Sequence, residues 1–135
     1  MHLVIPIDIP GPGLVYAIGG GLLALVFISL LITLLEFLVL WRLGWGKWYY
    51  SLLAAFLTNI GTTTLGATVV VFTLSLGFIG LLIDFSLSVV VEALILMLMK
   101  RGAARQNWLA SLAANTASYL LIILPLFFVL GLLNP

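Results

Sequence analysis

The chain has no cysteine, a single histidine, and very little charge: five Lys or Arg and four Asp or Glu in 135 residues. The missing cysteines exclude disulfides, thiolate metal sites and cysteine nucleophiles. His2 stands alone beside the start, so neither an imidazole metal site nor a Ser-His-Asp triad is within reach. A net charge of +1 with no block of like charge leaves no footprint for nucleic acid and no field to steer an anionic partner. No Gly-x-Ser-x-Gly elbow and no His-Glu metal motif occurs. Enzymatic activity, cofactors, metals and nucleic-acid binding are therefore not expected.

What is present is apolar. Hydrophobic residues make up 64% of the chain and the mean hydropathy is +1.38; soluble domains sit nearer 45 to 50%. That composition is expected of an integral membrane protein. Residues 1–13 carry Asp8, three prolines, and no Lys or Arg. They read as an extended extracytoplasmic lead-in, not as a cleaved signal.

Four spans are expected, over residues 14–41, 48–73, 81–99 and 107–132, each near or above the ~20 residues that cross a bilayer core. The 52 residues from Trp48 to Met99 contain no basic residue and are too long for one helix. Residues 74–80, with Ser75, Gly77 and Gly80, are the best place for a turn. The expected organisation is a first transmembrane hairpin over 14–73, an external turn over 74–80 and a second hairpin over 81–135. Pro125 is expected to kink the fourth helix, because its ring removes a backbone donor and crowds the preceding turn.

Arg42 and Lys47 lie in the first connection, and Lys100, Arg101 and Arg105 in the third. The positive-inside rule puts those two loops in the cytoplasm, with both termini and the second loop outside, in an inner or plasma membrane. Trp41, Trp45, Trp48, Tyr49, Tyr50 and Trp108 flank the same loops and read as an interfacial belt. The basic residues read as topology signals and contacts for anionic lipid. Asp84 reads as an N-terminal cap of helix 3.

The two halves share a pattern. Glu36 is followed 23 residues later by Asn59, and Glu92 is followed 23 residues later by Asn115. Shifting the chain by 56 aligns 36–63 with 92–119, and seven of those 28 pairs are identical, including both Glu and both Asn. A shift of 60 aligns Trp48 with Trp108 and the Ser-Leu pair that follows, which allows loops of unequal length. Intramembrane carboxyls are costly and are kept for an internal bond, a transport path or a ligand. At 1.5 Å per residue Glu36 is ~9 Å from Arg42 and Asn59 ~18 Å from Lys47. Their Cβ vectors lean toward one another on antiparallel helices. Ser29, Thr33 and Glu36 share one face; Ala55, Asn59, Thr62 and Gly66 share another. In the second half Ser88 and Glu92 face a stripe of Ser111, Ala114, Asn115 and Ser118. Small and polar stripes of this kind bring helix backbones close and hydrogen-bond between them. The candidate intramembrane polar site is Glu36, Asn59, Thr62, Glu92, Asn115 and Ser118.

An apolar span ending in Glu, a basic loop, then a helix with Asn followed by Thr or Ser resembles a pattern in small uncharacterised bacterial four-helix membrane proteins. The resemblance covers most of the chain and implies an all-α fold of two repeated helical hairpins. It brings no activity with it. Two functions follow from the residues. In the first, protonated carboxyls donate to the Asn carbonyls and hold the bundle together, making the chain a structural or assembly component of a larger membrane complex. In the alternative, an oligomer transports protons or cations through the Glu pair. Either way the expected partners are membrane lipid, with other membrane subunits or further copies of the chain.

Overall fold

A computed structural model describes the backbone of residues 12–73 and 76–133, and side chains within 19–66 and 76–131. Most of the lead-in over 1–13 and part of the turn over 74–80 lie outside the described residues. The rest is helical, with no strand among the described residues. Helix α1 is Pro12–Arg42, α2 Trp48–Thr73, α3 Phe78–Met99 and α4 Ala104–Ser118; a π turn, Tyr119–Ile123, joins α4 to α5, Leu124–Leu133. Three stretches are long and apolar enough to cross a membrane: Gly19–Arg42, Phe78–Met99 and Ala104–Val129. α2 is a 26-residue helix.

Helices suit such a sequence because each satisfies its own backbone polar groups without water. Hydroxyls on these helices do the same by bonding back one turn. Thr33 donates to the Ser29 carbonyl at 2.8 Å, Thr64 to Ile60 at 2.8 Å, Ser86 to Leu82 at 2.8 Å and Thr116 to Leu112 at 2.7 Å.

The helix ends follow from backbone chemistry. Pro12 opens α1, where its missing N–H is one that no helical carbonyl would have received. After α1, the Trp45 N–H bonds the Leu40 carbonyl and the Gly44 N–H bonds that of Trp41, both at 3.0 Å, with Gly44 at φ 66°. This is a Schellman cap, and the apolar contact it favours is present in Leu40 and Trp45, which share the core. α3 starts at Phe78, three residues before its expected start, after Gly77 at φ 55°. The π turn falls where Pro125 leaves the Leu121 carbonyl without its usual donor, so the expected disturbance takes the form of a widened turn.

Neighbours pack in a ring: α1 on α2, α2 on α3, α3 on α4, and α4 back on α1. Gly61 of α2 lies against Ile95 of α3; a Cβ there would lie 2.6 Å from the Ile95 Cδ1. The apolar core is small and sits toward the basic loops. Leu40, Trp45, Ala54, Ala55, Leu96 and Ala110 form it, with Phe37, Tyr50 and Met99 against them. Outer faces present Leu, Ile, Val and Phe, for example Leu23 at 73% and Leu98 at 71% exposure, far more apolar surface than a water-soluble monomer shows.

Two expectations are corrected in the loops. Trp45 is 1% exposed and belongs to the core, whereas Trp41, Trp48 and Tyr49 are exposed as belt residues are. The Trp45 ring stacks on Tyr50 at 5.5 Å and donates its Nε1–H to Asn107 Oδ1 at 2.8 Å. Lys100 is not turned out toward lipid headgroups. Its Nζ donates to the Trp45 carbonyl at 2.7 Å and to Gln106 Oε1 at 2.8 Å, and lies 5.7 Å from the Trp45 ring centre. The Asn107 amide donates to the Lys100 carbonyl at 2.9 Å, and the Tyr50 hydroxyl to that of Met99 at 2.7 Å. These bonds clasp the two loops together.

Candidate functional site

All six residues of the expected polar site line one half-enclosed cavity of about 600 Å³ inside the ring of helices. The Glu and Asn side chains come from the loop-proximal halves of the helices. The cavity extends from them toward Leu25, Gly66, Asp84 and Ile123, near the opposite ends. On the loop side it is closed by the layer of Leu40, Leu96, Ala54 and Ala110, each at most 2% exposed. Those alanines allow the closure, because small side chains let the helix backbones meet.

The second hairpin forms the expected pair. Asn115 donates its side-chain amide to Glu92 Oε2 at 2.7 Å and to the Ser111 carbonyl at 3.0 Å. The donor is thus the amide, where the sequence suggested the carboxyl donating to the Asn oxygen. Ser111 in turn donates to the Val89 carbonyl at 2.8 Å, tying α4 to α3 one turn nearer the loops along α4 and one turn farther from them along α3.

The first hairpin is arranged differently. The Glu36 carboxyl has Ser118, from the other hairpin, and Asn59 as neighbours, while the Ser118 hydroxyl donates to the Asn115 carbonyl at 3.1 Å. Glu36 Oε2 is buried with no hydrogen-bond partner, although the residue is only 2% exposed. Asn59 accepts from Thr63 through its Oδ1 at 3.3 Å, and Thr62 bonds back to the carbonyls of Thr58 and Asn59 at 3.0 and 3.2 Å. Glu36 and Glu92 lie within electrostatic reach of each other.

No match is found among family models, curated proteins or solved structures. The functional reading rests on this site.

Asp84 does not cap α3. It is the seventh residue of that helix, beyond the first turn, and it lines the cavity instead. Tyr119 lines it too and meets Phe85 edge to face at 5.1 Å. Sequence reasoning missed Tyr119, Asn107 and Trp45. Tyr119 had a signal, since it lies one residue past Ser118 and six before Pro125. Among the described residues no cluster of His, Cys, Asp and Glu is placed to hold a metal.

Burial follows the 56-residue spacing. Thr33 and Val89, Glu36 and Glu92, Leu40 and Leu96, Ser51 and Asn107, Ala54 and Ala110, Ala55 and Ser111, Thr58 and Ala114, and Asn59 and Asn115 are all buried.

Proposed function

We propose that this chain is a four-span membrane protein that binds and exchanges a cation, a proton in the simplest case, at Glu36 and Glu92. The observation that carries the proposal is the buried, unpartnered Oε2 of Glu36, a residue that lines the cavity. An ionised carboxylate in a dry site is stable only with a charge or donors to match it. Glu92 has its donor in Asn115, so a bundle built for stability alone has a ready example of how to satisfy a carboxyl. Glu36 lacks that satisfaction on one oxygen and lies beside a second carboxyl. A proton or a cation supplies what is missing.

The architecture we propose around this site is two copies of one hairpin related by an axis along the membrane normal. The matched burial at 56-residue spacing supports it, as does the ring of neighbours. α2 is the fourth span by length and by its place in the ring. All five basic residues at one end support cytoplasmic loops 1 and 3, with the termini outside in an inner or plasma membrane. The cavity then faces outward, closed on the cytoplasmic side. Four helices form a thin wall, so we propose a homo-oligomer or a complex with other membrane subunits.

A second reading is favoured by the Glu92–Asn115 bond and the loop clasp: a structural or assembly component in which the polar pairs only hold helices together. Proton and cation flux into proteoliposomes separates the two. Flux in wild type that disappears in a folded Glu36→Gln, Glu92→Gln variant is the expected result. A protein that moves neither protons nor cations, with the Gln variant equally stable and equally assembled, supports the structural reading.

A further inference from the structure

We propose that the cavity takes an amphipathic organic monocation, an alkyl- or arylammonium with its charged end at Glu36 and Glu92 and its apolar body along the aliphatic walls. The inference rests on the carboxyl pair being a cation-exchanging site, and it names the class of cation.

Size is the first argument. About 600 Å³ lies within the range of pockets that enclose small organic molecules. A proton needs no such space, and a bare metal ion needs oxygens on several sides at short range. Here the Glu and Asn side chains gather at the loop-side end, with Ser29, Ser88 and Asp84 spaced farther along. Much of the remaining wall is aliphatic, from Leu25, Ile28 and Ile32 on α1 and Leu87 and Val91 on α3, with Ile123 in the π turn.

Charge is the second. Among the described residues the titratable groups on the cavity are Glu36 from α1, Asp84 and Glu92 from α3, and Tyr119 where α4 gives way to the π turn; the described part of α2 contributes Asn59, Thr62 and Thr63. No Lys or Arg is among the described residues that line it. Asp84 stands eight residues before Glu92, ~12 Å along the helix, so the acids run the length of the chamber. The phosphate of a phospholipid headgroup or the carboxylate of an amino acid would find no cationic partner there. A simple ammonium meets a floor of carboxyl groups that can ionise against it, and the Tyr119 ring offers a further surface for it. Glu36, a lining residue that is only 2% exposed and has its Oε2 unpartnered, is the acceptor proposed for that charge.

The backbone adds to this. The π turn at Tyr119–Ile123 has Tyr119 and Ile123 at its two ends, and both line the cavity. Single π turns inside α-helices recur at functional sites because they re-aim side chains.

The test is calorimetric titration of the full chain in lipid nanodiscs, with empty nanodiscs subtracted for partitioning. The probes are tetraphenylphosphonium, benzyltrimethylammonium, its uncharged isostere neopentylbenzene, and sodium and potassium ions. Saturable binding of both organic cations is expected, at least about tenfold tighter than the isostere, and lost by at least about tenfold in Glu36→Gln, Glu92→Gln. Gly66→Leu puts a side chain where the cavity wall is open, with no heavy atom within 4 Å of its Cβ. It should weaken tetraphenylphosphonium more than the smaller benzyltrimethylammonium, and Ile28→Phe serves the same purpose if Gly66→Leu does not fold. Equal binding of the isostere, binding indifferent to the Gln variant, or equal weakening of both cations by the filled cavity would overturn the proposal. Carboxyl-dependent proton or sodium flux without organic-cation binding overturns the ligand class and leaves the exchange site standing. Absence of both removes the two readings together.

Discussion

Asn115 and Glu92 are joined by a 2.7 Å hydrogen bond between α4 and α3, while their counterparts 56 residues earlier, Asn59 and Glu36, leave one carboxylate oxygen without a partner. Two sites of the same composition are thus satisfied to different degrees. The difference comes from the neighbours. Asn115 has Ser111 one turn behind it to orient its amide, and the same position before Asn59 is Ala55, which has no hydroxyl to help.

That asymmetry sets the cost of removing each amide. Asn115→Leu should destabilise the bundle by about 0.6 to 2 kcal/mol, the range for interhelical hydrogen bonds in lipid. Asn59→Leu should cost less, since Glu36 has a carboxyl oxygen without a partner even with Asn59 in place. Unfolding in mixed micelles with increasing denaturing detergent measures both. Equal losses would mean that the two pairs are energetically equivalent despite their geometry.

Trp45 should matter as a core residue. Trp45→Phe keeps most of the packing and removes the bond to Asn107, a loss of about 1 kcal/mol. Trp45→Ala opens the layer beneath the clasp and should cost about 3 to 5 kcal/mol. Melting of the two variants in the same detergent is the check. A headgroup anchor would instead give two small and similar changes.

Topology is open to thiol labelling, because the chain has no native cysteine. The loop glycines are poor sites: Gly44, Gly77 and Gly102 have positive φ, and a Cβ on Gly46 would meet Tyr50 at 3.2 Å. Leu43→Cys and Leu76→Cys are better, at 52% and 49% exposure. On intact cells an impermeant maleimide should label Cys at 76 and spare Cys at 43. The reverse pattern would invert the proposed orientation and turn the cavity toward the cytoplasm.

The sequence alone determined the helical, membrane-suited character of the chain and which residues to watch. Periodicity and rarity are local properties: a Glu or Asn inside a long apolar run stands out whatever surrounds it, and the stripe through Ser111, Ala114 and Asn115 follows from 3.6 residues per turn. The same information brought Glu36, Asn59, Thr62, Glu92, Asn115 and Ser118 to notice, and the fold brings all six to one cavity. Only the tertiary structure decided how they pair. Glu36 has Ser118 of the other hairpin beside its carboxyl, a neighbour 82 residues away that no local pattern encodes. Trp45 is buried because the Schellman turn after α1 swings it under Tyr50 and toward Asn107, so an aromatic residue beside a basic loop became core. Asp84 turned from an expected cap into cavity wall because α3 begins earlier, at Phe78, shifting Asp84 past the first turn. A helix presents its side chains by its own geometry, but which of them meet depends on the crossing of four helices, and that is set by small residues such as Gly61, Ala54 and Ala110 acting at a distance along the chain.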